Sequence, residues 1–513
     1  MKSKKTLVLL ILVLLTGGFL RFYNLGRESF WLDESATALA MKYRGPYENL
    51  KNIYKTGQIL PELYVNNPDL PHGNQDLPVY YFLLANWVKI FGLSEITLRS
   101  FSALFGLLSI LIVFFIAKEI FNKNVALLSS LISSMSVALI ASSQEARNYS
   151  FYLFISLLSV YFLIKFLNTD KNNFLAMFIA ATIIGAYTHF IFILLVFFEA
   201  VFIYWQELSS IAGLGKFRLS KLGASFFIVI LSYLPLLARV LNQTLSTIEY
   251  IAKPNLLNSL QMLATFNAWI YTSEQMKRIK GALVSKNFIG MPLSDYMLIF
   301  SILLLSIILT VFALKSLFII LKKRKRNEMF LVMLVVVPLL ASLITSYIHP
   351  SISTFGGFGS INFIIYVIPA YFIMASHGIL CIKRKHAKIL ILLIIILSIT
   401  PMISYHSNVR KMQFREAALF LKGKIESNDV IFFNIRTGIT PFTYYYGETN
   451  RTYPLANLSR ATELSKDKKS IWLVSTLTKY SDRNSAIKKY FDSRYKLAEK
   501  KEFFDLTAYH YVQ

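Results

Sequence analysis

Apolar runs recur along most of this chain, from TLVLLILVLLTGGFL (6–20) to ILILLIIILSIT (389–400), and that recurrence constrains the fold more than any other feature. A run of about 18 or more apolar residues matches the hydrocarbon thickness of a bilayer when it is helical. A soluble protein has no interior able to hide so many of them, since 55% of the 513 residues are hydrophobic and only 16% are charged. The short alternating segments of an outer-membrane barrel are a different pattern. The expectation is a polytopic α-helical membrane protein.

The formal net charge of +26 suggests nucleic acid at first sight. Its distribution argues against that. Basic residues gather in short turns between apolar runs, as in KKRKR (322–326) and KRKHAK (383–388), which is the signature of cytoplasmic loops. Contact with anionic lipid headgroups is a second use of the same residues. No basic soluble module is visible, so nucleic acid is not an expected partner. One cysteine, Cys381, excludes an internal disulfide and a cysteine metal cluster. The start, MKSKKTLVLLILVLLTGGFL, has the charged and apolar regions of a signal peptide without a small-residue cleavage site. It reads as an uncleaved first helix with a cytoplasmic N-terminus.

About 11 membrane helices are expected: 6–21, 98–117, 125–141, 151–167, 174–187, 190–205, 223–240, 296–319, 329–347, 361–381 and 389–404. Residues 77–92 are apolar but short, at the lower limit for a span. If they do not cross, the strongest basic turns all fall on the side of the N-terminus. If they cross, those turns face outward. Positive charge on the cytoplasmic side therefore favours a juxtamembrane or re-entrant 77–92. The organisation that follows is a membrane domain, 1–404, with external loops at 21–97 and 241–293, then an extracytoplasmic soluble α/β domain, 405–513. In that tail REAALFLKGKIESNDV reads as an amphipathic helix, VIFFNI and SIWLVST as buried strands, YYYGETN as a turn region and FFDLTAYHYV as the last strand.

This topology gathers polar groups on the outer side: Asp33 and Glu34, HGNQD (72–76) with His72 and Asp76, the stretch SSQEARNYS with Gln144, Glu145, Arg147 and Tyr149, and His189. Charged groups near a bilayer are expensive and often mark a functional path. Each also has an ordinary reading. Asp33 is placed to cap a helix running ESATALAMKY, with Glu34 in its first turn. Glu145 and Arg147 fit an external turn with an ion pair. His189 and His72 fit turn histidines. Adjacent helical residues face different ways, so one of Asp33 and Glu34 points into any given site and the other braces the loop. No His pair or calcium-loop spacing appears. No cofactor is required by the sequence, and a divalent metal held by Asp33 with distant acids stays open.

The ordered set of segments resembles the GT-C class of membrane glycosyltransferases, in particular the protein O-mannosyltransferase-like and aminoarabinose transferase-like branch. RFYNLGRESFWLDESATA resembles the first external loop, with its adjacent Asp-Glu. LPVYYFLLANWVKIFGLSEITLRSFSALFG resembles the Pro-Leu-Tyr-Tyr segment, the Phe-Gly turn and the Glu and Arg that open the next helix, here Glu95 and Arg99. SSQEARNYSFY resembles the Gln-Glu-Ala-Arg-x-Tyr stretch, AYTHF the Tyr-Thr-His turn, and REAALFLKGKIESNDVIFF the start of the soluble tail. Two places depart from the pattern. Asp76, Leu77 and Pro78 stand where His or Lys and two prolines are usual, and Asn362 and Phe363 where Arg-Tyr is usual.

The resemblance implies a sugar donor on polyprenyl phosphate and an acceptor hydroxyl on a glycolipid, a surface polymer or a protein, at the extracytoplasmic face of the cell membrane. It implies Asp33 as general base, Glu34 in transition-state or acceptor support, and inversion at the anomeric carbon. Arg147 would hold phosphate, oriented by Glu145, with Lys277 and Arg278 of the long loop as further phosphate contacts. Two alternatives accompany it: a transporter or flippase for lipid-linked saccharide, and an inactive member acting as a partner subunit.

Overall fold

The structure is a computed structural model. It describes residues 2–43, 77–208, 216–236, 266, 273–285, 287–348, 364–447, 449, 451–455, 458–466, 468–477 and 485–513. His72 and Asp76 lie outside the described residues, as does most of the 241–293 loop. A helix occupies each of the eleven expected segments. Among the described residues six helices are long and apolar enough to cross a membrane, and a bent pair makes a possible seventh.

The segment expected as the first external loop contains α2 (Leu32–Tyr43) and α3 (Pro78–Phe91), between the apolar helices α1 (Lys2–Phe22) and α4 (Glu95–Ile120). Proline at its first turn suits the start of α3. At 1.5 Å per residue its 14 residues reach roughly 21 Å, short of a bilayer core of about 30 Å. Gly92, at φ +78°, ends it. Ser94 then caps α4 by accepting from the Thr97 amide at 3.1 Å. Tyr80 of α3 shares a 2.8 Å hydrogen bond with Ser102 of α4.

The expected straight helix 125–141 is instead broken. It forms α5 (Lys123–Met135) and α6 (Val137–Ser143), bent by 61°. The sequence SSLISSMS explains the break, because serine clusters weaken a helix and Ser136 caps the second half. The break frees carbonyls at the end of α5. Arg21, buried at the end of α1, answers them by donating to Ser133 and Ser134 carbonyls at 3.1 Å each. Beside this contact α4 and α6 approach closely: a Cβ on Gly106 would lie 2.0 Å from Ser143 Oγ.

The remaining helices before the tail are α7 (Tyr149–Thr169), α8 (Asn172–Ala186), α9 (Phe192–Leu208), α10 (Lys216–Tyr233), α11 (Glu274–Ser285), α12 (Leu293–Lys323), α13 (Arg326–Ile348), α14 (Val367–Leu380) and α15 (Arg384–Ser407), α11 being short and amphipathic. The KKRKR turn lies between α12 and α13, and KRKHAK at the start of α15.

The tail is an α/β domain with α16 (Phe414–Lys422), β1 (Val430–Phe433), α17 (Ile439–Tyr446), β2 (Thr452–Pro454), α18 (Leu458–Ser465), β3 (Ser470–Thr476), α19 (Ala486–Arg494), β4 (Lys496–Phe503) and β5 (Leu506–Val512). Sheet order is β2-β1-β3-β5-β4, with β1 parallel to both neighbours and β5 antiparallel to both of its own. Strand alternation explains why all of VIFF is buried. Ile431 and Phe433 pack toward α16, and Val430 and Phe432 toward α19. Two expectations change here. FFDLTAYHYV is not one strand, because Asp505 takes a left-handed turn conformation (φ 53°) and folds it into the β4–β5 hairpin. The three tyrosines of YYYGETN end α17, which stops at Gly447.

The close contact at Gly106 predicts an asymmetry. Gly106→Ala should lower the melting temperature in detergent. Gly18→Ala, whose Cβ would meet Leu107 at an ordinary 3.6 Å, should leave it unchanged or raise stability by about 0.5–1 kcal/mol. Equal effects of the two substitutions would contradict this packing.

Candidate active site

Helix α2 starts two residues earlier than a cap at Asp33 requires. Trp31 supplies the first carbonyl, accepting from the Ser35 amide at 2.9 Å. Asp33 and Glu34 therefore both sit in the first turn, where negative charge is favoured by the helix dipole. About 100° of helical rotation separates them, and their surroundings differ accordingly. Asp33 is half-buried, whereas Glu34 is fully enclosed.

Both Glu34 oxygens are committed to the protein. Arg99 donates to Oε1 through Nε and to Oε2 through Nη2, each at 2.8 Å. Lys411 donates to Oε2 at 2.8 Å and the Ala146 amide to Oε1 at 2.9 Å. Burial by itself would raise this carboxyl. The Arg99 guanidinium and the Lys411 ammonium overcome it and hold the group at about 2. Arg99 is saturated as well, with carbonyls of Leu25, Glu28 and Ser29 taking its other protons. Glu34 thus joins α2, α4, the 144–148 turn and the junction before the C-terminal domain.

That turn joins α6 to α7. Gln144 closes α6 and donates to the carbonyls of Leu20, Arg21 and Tyr23, capping α1. Glu145 follows, with part of its surface open. Protein packed around it pushes its carboxyl up to about 7. Lys411 and Arg147 pull the other way, while Glu34 and Asp33 push it further up. The mutual influence places Asp33 and Glu145 on one electrostatic cluster. Arg147 donates to the Tyr81 hydroxyl at 3.2 Å, and its guanidinium stands 5.7 Å from the Tyr149 ring centre. Its carbonyl accepts from Ser102 at 3.0 Å.

Asn148 ties this turn to the next by donating to the Thr188 carbonyl at 2.9 Å. His189 follows, buried between Tyr152 and Phe190, with ring centres 4.9 and 5.1 Å away. Its Nδ1 accepts from the Ile191 amide at 3.3 Å. The structure thus brings Asp33, Glu145, Arg147, Tyr149 and His189 onto connected turns. Lys277 and Arg278 have other engagements. Lys277 pairs with Asp505 of the β4–β5 hairpin at 2.6 Å and with Glu274 at 3.0 Å. Arg278 pairs with Asp295 of α12 at 3.0 Å. Among the described residues no group of three or more His, Cys, Asp or Glu converges as a metal site.

Sequence reasoning missed Lys411 and the Arg99–Glu34 pair. The signal for Arg99 was present: a lone arginine opening an apolar helix needs a carboxylate. For Lys411 there was none, since it lies 377 residues from its partner.

Residues 71–234 match the family model for dolichyl-phosphate-mannose-protein mannosyltransferase. An uncharacterized protein of Aquifex aeolicus (strain VF5) is 34% identical over 179 residues, which span 34% of this chain and 31% of that relative. Among solved structures, ArnT from Cupriavidus metallidurans aligns over 99% of this chain and 98% of its own, with TM-score 0.59 and 11% identity in the apo state. Bound to undecaprenyl phosphate it gives TM-score 0.55 and 10% identity. The chain carries the GT-C fold. The GT-C neighbour AglB from Archaeoglobus fulgidus, an oligosaccharyltransferase solved with an inhibitory peptide and a dolichol-phosphate, gives TM-score 0.60 and 11% identity over 99% of this chain and 74% of its own. At these identities the likeness establishes the fold, and the chemistry must come from the residues.

The raised Glu145 carboxyl has a stability consequence. A carboxyl whose folded value lies above its unfolded one stabilises below the unfolded value, near 4.5, and that contribution is lost as pH rises through about 7. Wild-type melting temperature should fall across that window relative to Glu145→Gln. Parallel melting curves for the two proteins would contradict the assigned environment.

Proposed function

We propose that this chain is a membrane glycosyltransferase that moves a sugar from a polyprenyl-phosphate carrier to an acceptor hydroxyl, with Asp33 as general base. One observation carries the reading. Of two adjacent acids, Glu34 is fully buried with both oxygens bound to the protein, while Asp33 is half-buried within electrostatic reach of a second carboxylate, Glu145. In the step, Asp33 takes the acceptor proton as the hydroxyl oxygen bonds to the anomeric carbon. The bond from that carbon to the phosphate oxygen breaks, and polyprenyl phosphate departs. Arg147, braced by Tyr81, is suited to stabilise the negative charge growing on phosphate. A single displacement of this kind inverts the anomeric centre.

Glu145 takes the place of a second carboxylate near Asp33 and orients Arg147. Tyr149 and His189 form the aromatic wall next to it. His72 and Asp76, which precede α3 in the sequence, remain candidate substrate contacts, and Lys277 and Arg278 serve donor phosphate only if their ion pairs open. Solved GT-C neighbours include ArnT bound to undecaprenyl phosphate, which supports a polyprenyl carrier. The site lies at the ends of α1 and α15 opposite their basic starts, and α12 likewise ends in KKRKR, so positive charge on the cytoplasmic side supports chemistry on the extracytoplasmic face of the cell membrane.

The test is a reconstituted assay with polyprenyl-phosphate sugars and glycolipid, polysaccharide and Ser/Thr peptide acceptors. Asp33→Asn should lose about 10²–10⁴-fold in turnover while melting like the wild type. Wild-type turnover in a folded Asp33→Asn protein removes Asp33 as base. Movement of the lipid-linked sugar across vesicles without transfer would instead favour a transporter.

A further inference from the structure

The cluster around Asp33 holds three carboxylates, and the cations that answer them come from different parts of the chain. Arg99 is saturated by Glu34 and three carbonyls. Arg147 is directed to Tyr81. The third cation, Lys411, belongs to the junction between α15 and α16. It reaches Glu34 Oε2 at 2.8 Å and the carbonyl of Gln144, the residue before Glu145, at 3.5 Å.

We propose that Lys411, carried in from the C-terminal segment, is a positioning residue for the carboxylate pair of Asp33 and Glu145, so that the site is complete only when the C-terminal domain is docked. This rests on the catalytic reading of that pair.

The junction is clamped on both sides of Lys411, so its position is determined by the fold. Glu28 accepts from the backbone amide and the guanidinium of Arg410, both at 2.5 Å. Ser29 donates to the Met412 carbonyl at 2.6 Å. Arg415 pairs with Glu95 at 3.0 Å, and Tyr445 of α17 donates to the same Glu95 oxygen at 2.8 Å. Every one of these contacts joins the C-terminal segment to the first external loop or the start of α4. A compact ammonium on a flexible stem suits the space between the Glu34 carboxylate and the Gln144 carbonyl better than a planar fork.

The groups acting on Glu145 are Lys411 from the junction, Glu34 and Asp33 from α2, Arg147 from its own turn, and Tyr405 from α15. Two carboxylates push its proton affinity up. Of the two cations that lower it, Lys411 has the larger effect. Without Lys411 the Glu145 proton is retained to higher pH, Arg147 loses its ionised neighbour, and Asp33 faces a neutral group. Undocking of the C-terminal domain has the same result, since it withdraws Lys411.

The test reads Glu145 directly by infrared titration of its carboxyl band, assigned by its loss in Glu145→Gln, alongside the pH profile of sugar transfer. In Lys411→Met the band should titrate about one pH unit higher than in the wild type, where it titrates near 7. Transfer at pH 7 should fall about tenfold and recover at higher pH. Lys411→Arg should return the titration toward the wild-type position. Lys411→Gln, which keeps a hydrogen bond to Glu34 without the charge, replaces the methionine variant if that does not fold. A band that titrates as in the wild type in the uncharged variants overturns the inference, even in a protein that transfers sugar. A shifted band in a protein that transfers none upholds the Lys411 assignment and sinks the proposed function.

Discussion

Glu34 lies against Arg99 through two parallel hydrogen bonds of 2.8 Å, and the rest of the site takes its place from that pair. Glu34 belongs to α2 and Arg99 to the start of α4. The same carboxylate then collects the Ala146 amide and the Lys411 ammonium. Four segments far apart in sequence are thereby fixed around one buried charge. Removing one partner from such a pair costs about 3–5 kcal/mol, because the other is left buried and uncompensated. A network of this kind is therefore maintained whole or lost whole, which gives one end of the helical bundle a rigid floor.

The placement of Asp33 follows from the same constraint. A helix cannot turn two adjacent side chains the same way. Once Glu34 is locked inward, Asp33 is committed to the neighbouring direction, beside the Glu145 turn. That turn is itself set by the break between α5 and α6. The break ends α6 at Gln144, whose amide caps α1, and it leaves carbonyls that Arg21 takes up. A break that would weaken a simple membrane span here presents a polar turn to the site.

Much of this architecture was legible in the sequence. The apolar runs determined which segments are helical, and each expected span contains a helix. Scarcity of charge marked Asp33, Glu34 and the QEAR stretch, because acids in such a chain need a reason. Three features were not legible, each for a physical reason. The helix break depends on whether serines find partners, and those partners lie on α1. The β4–β5 hairpin turns on one left-handed Asp505, which strand periodicity does not encode. Lys411 joins the site through tertiary docking, and nothing in its local sequence, VRKMQFRE, distinguishes it from a surface lysine. Lys277 and Arg278 erred in the opposite sense: a basic pair in a long loop looked available for phosphate, yet each has an acid beside it in the fold.

The central claim is that a donor phosphate sits at Arg147 with its sugar turned toward Asp33. A structure with polyprenyl-phosphate sugar bound tests it most directly. The account predicts phosphate oxygens within hydrogen-bond distance of the Arg147 guanidinium, with the anomeric carbon between that phosphate and the Asp33 carboxylate, at a separation of about 3–3.5 Å from an acceptor oxygen in contact with Asp33. Phosphate held elsewhere, with Asp33 facing no part of the sugar or acceptor, would contradict it.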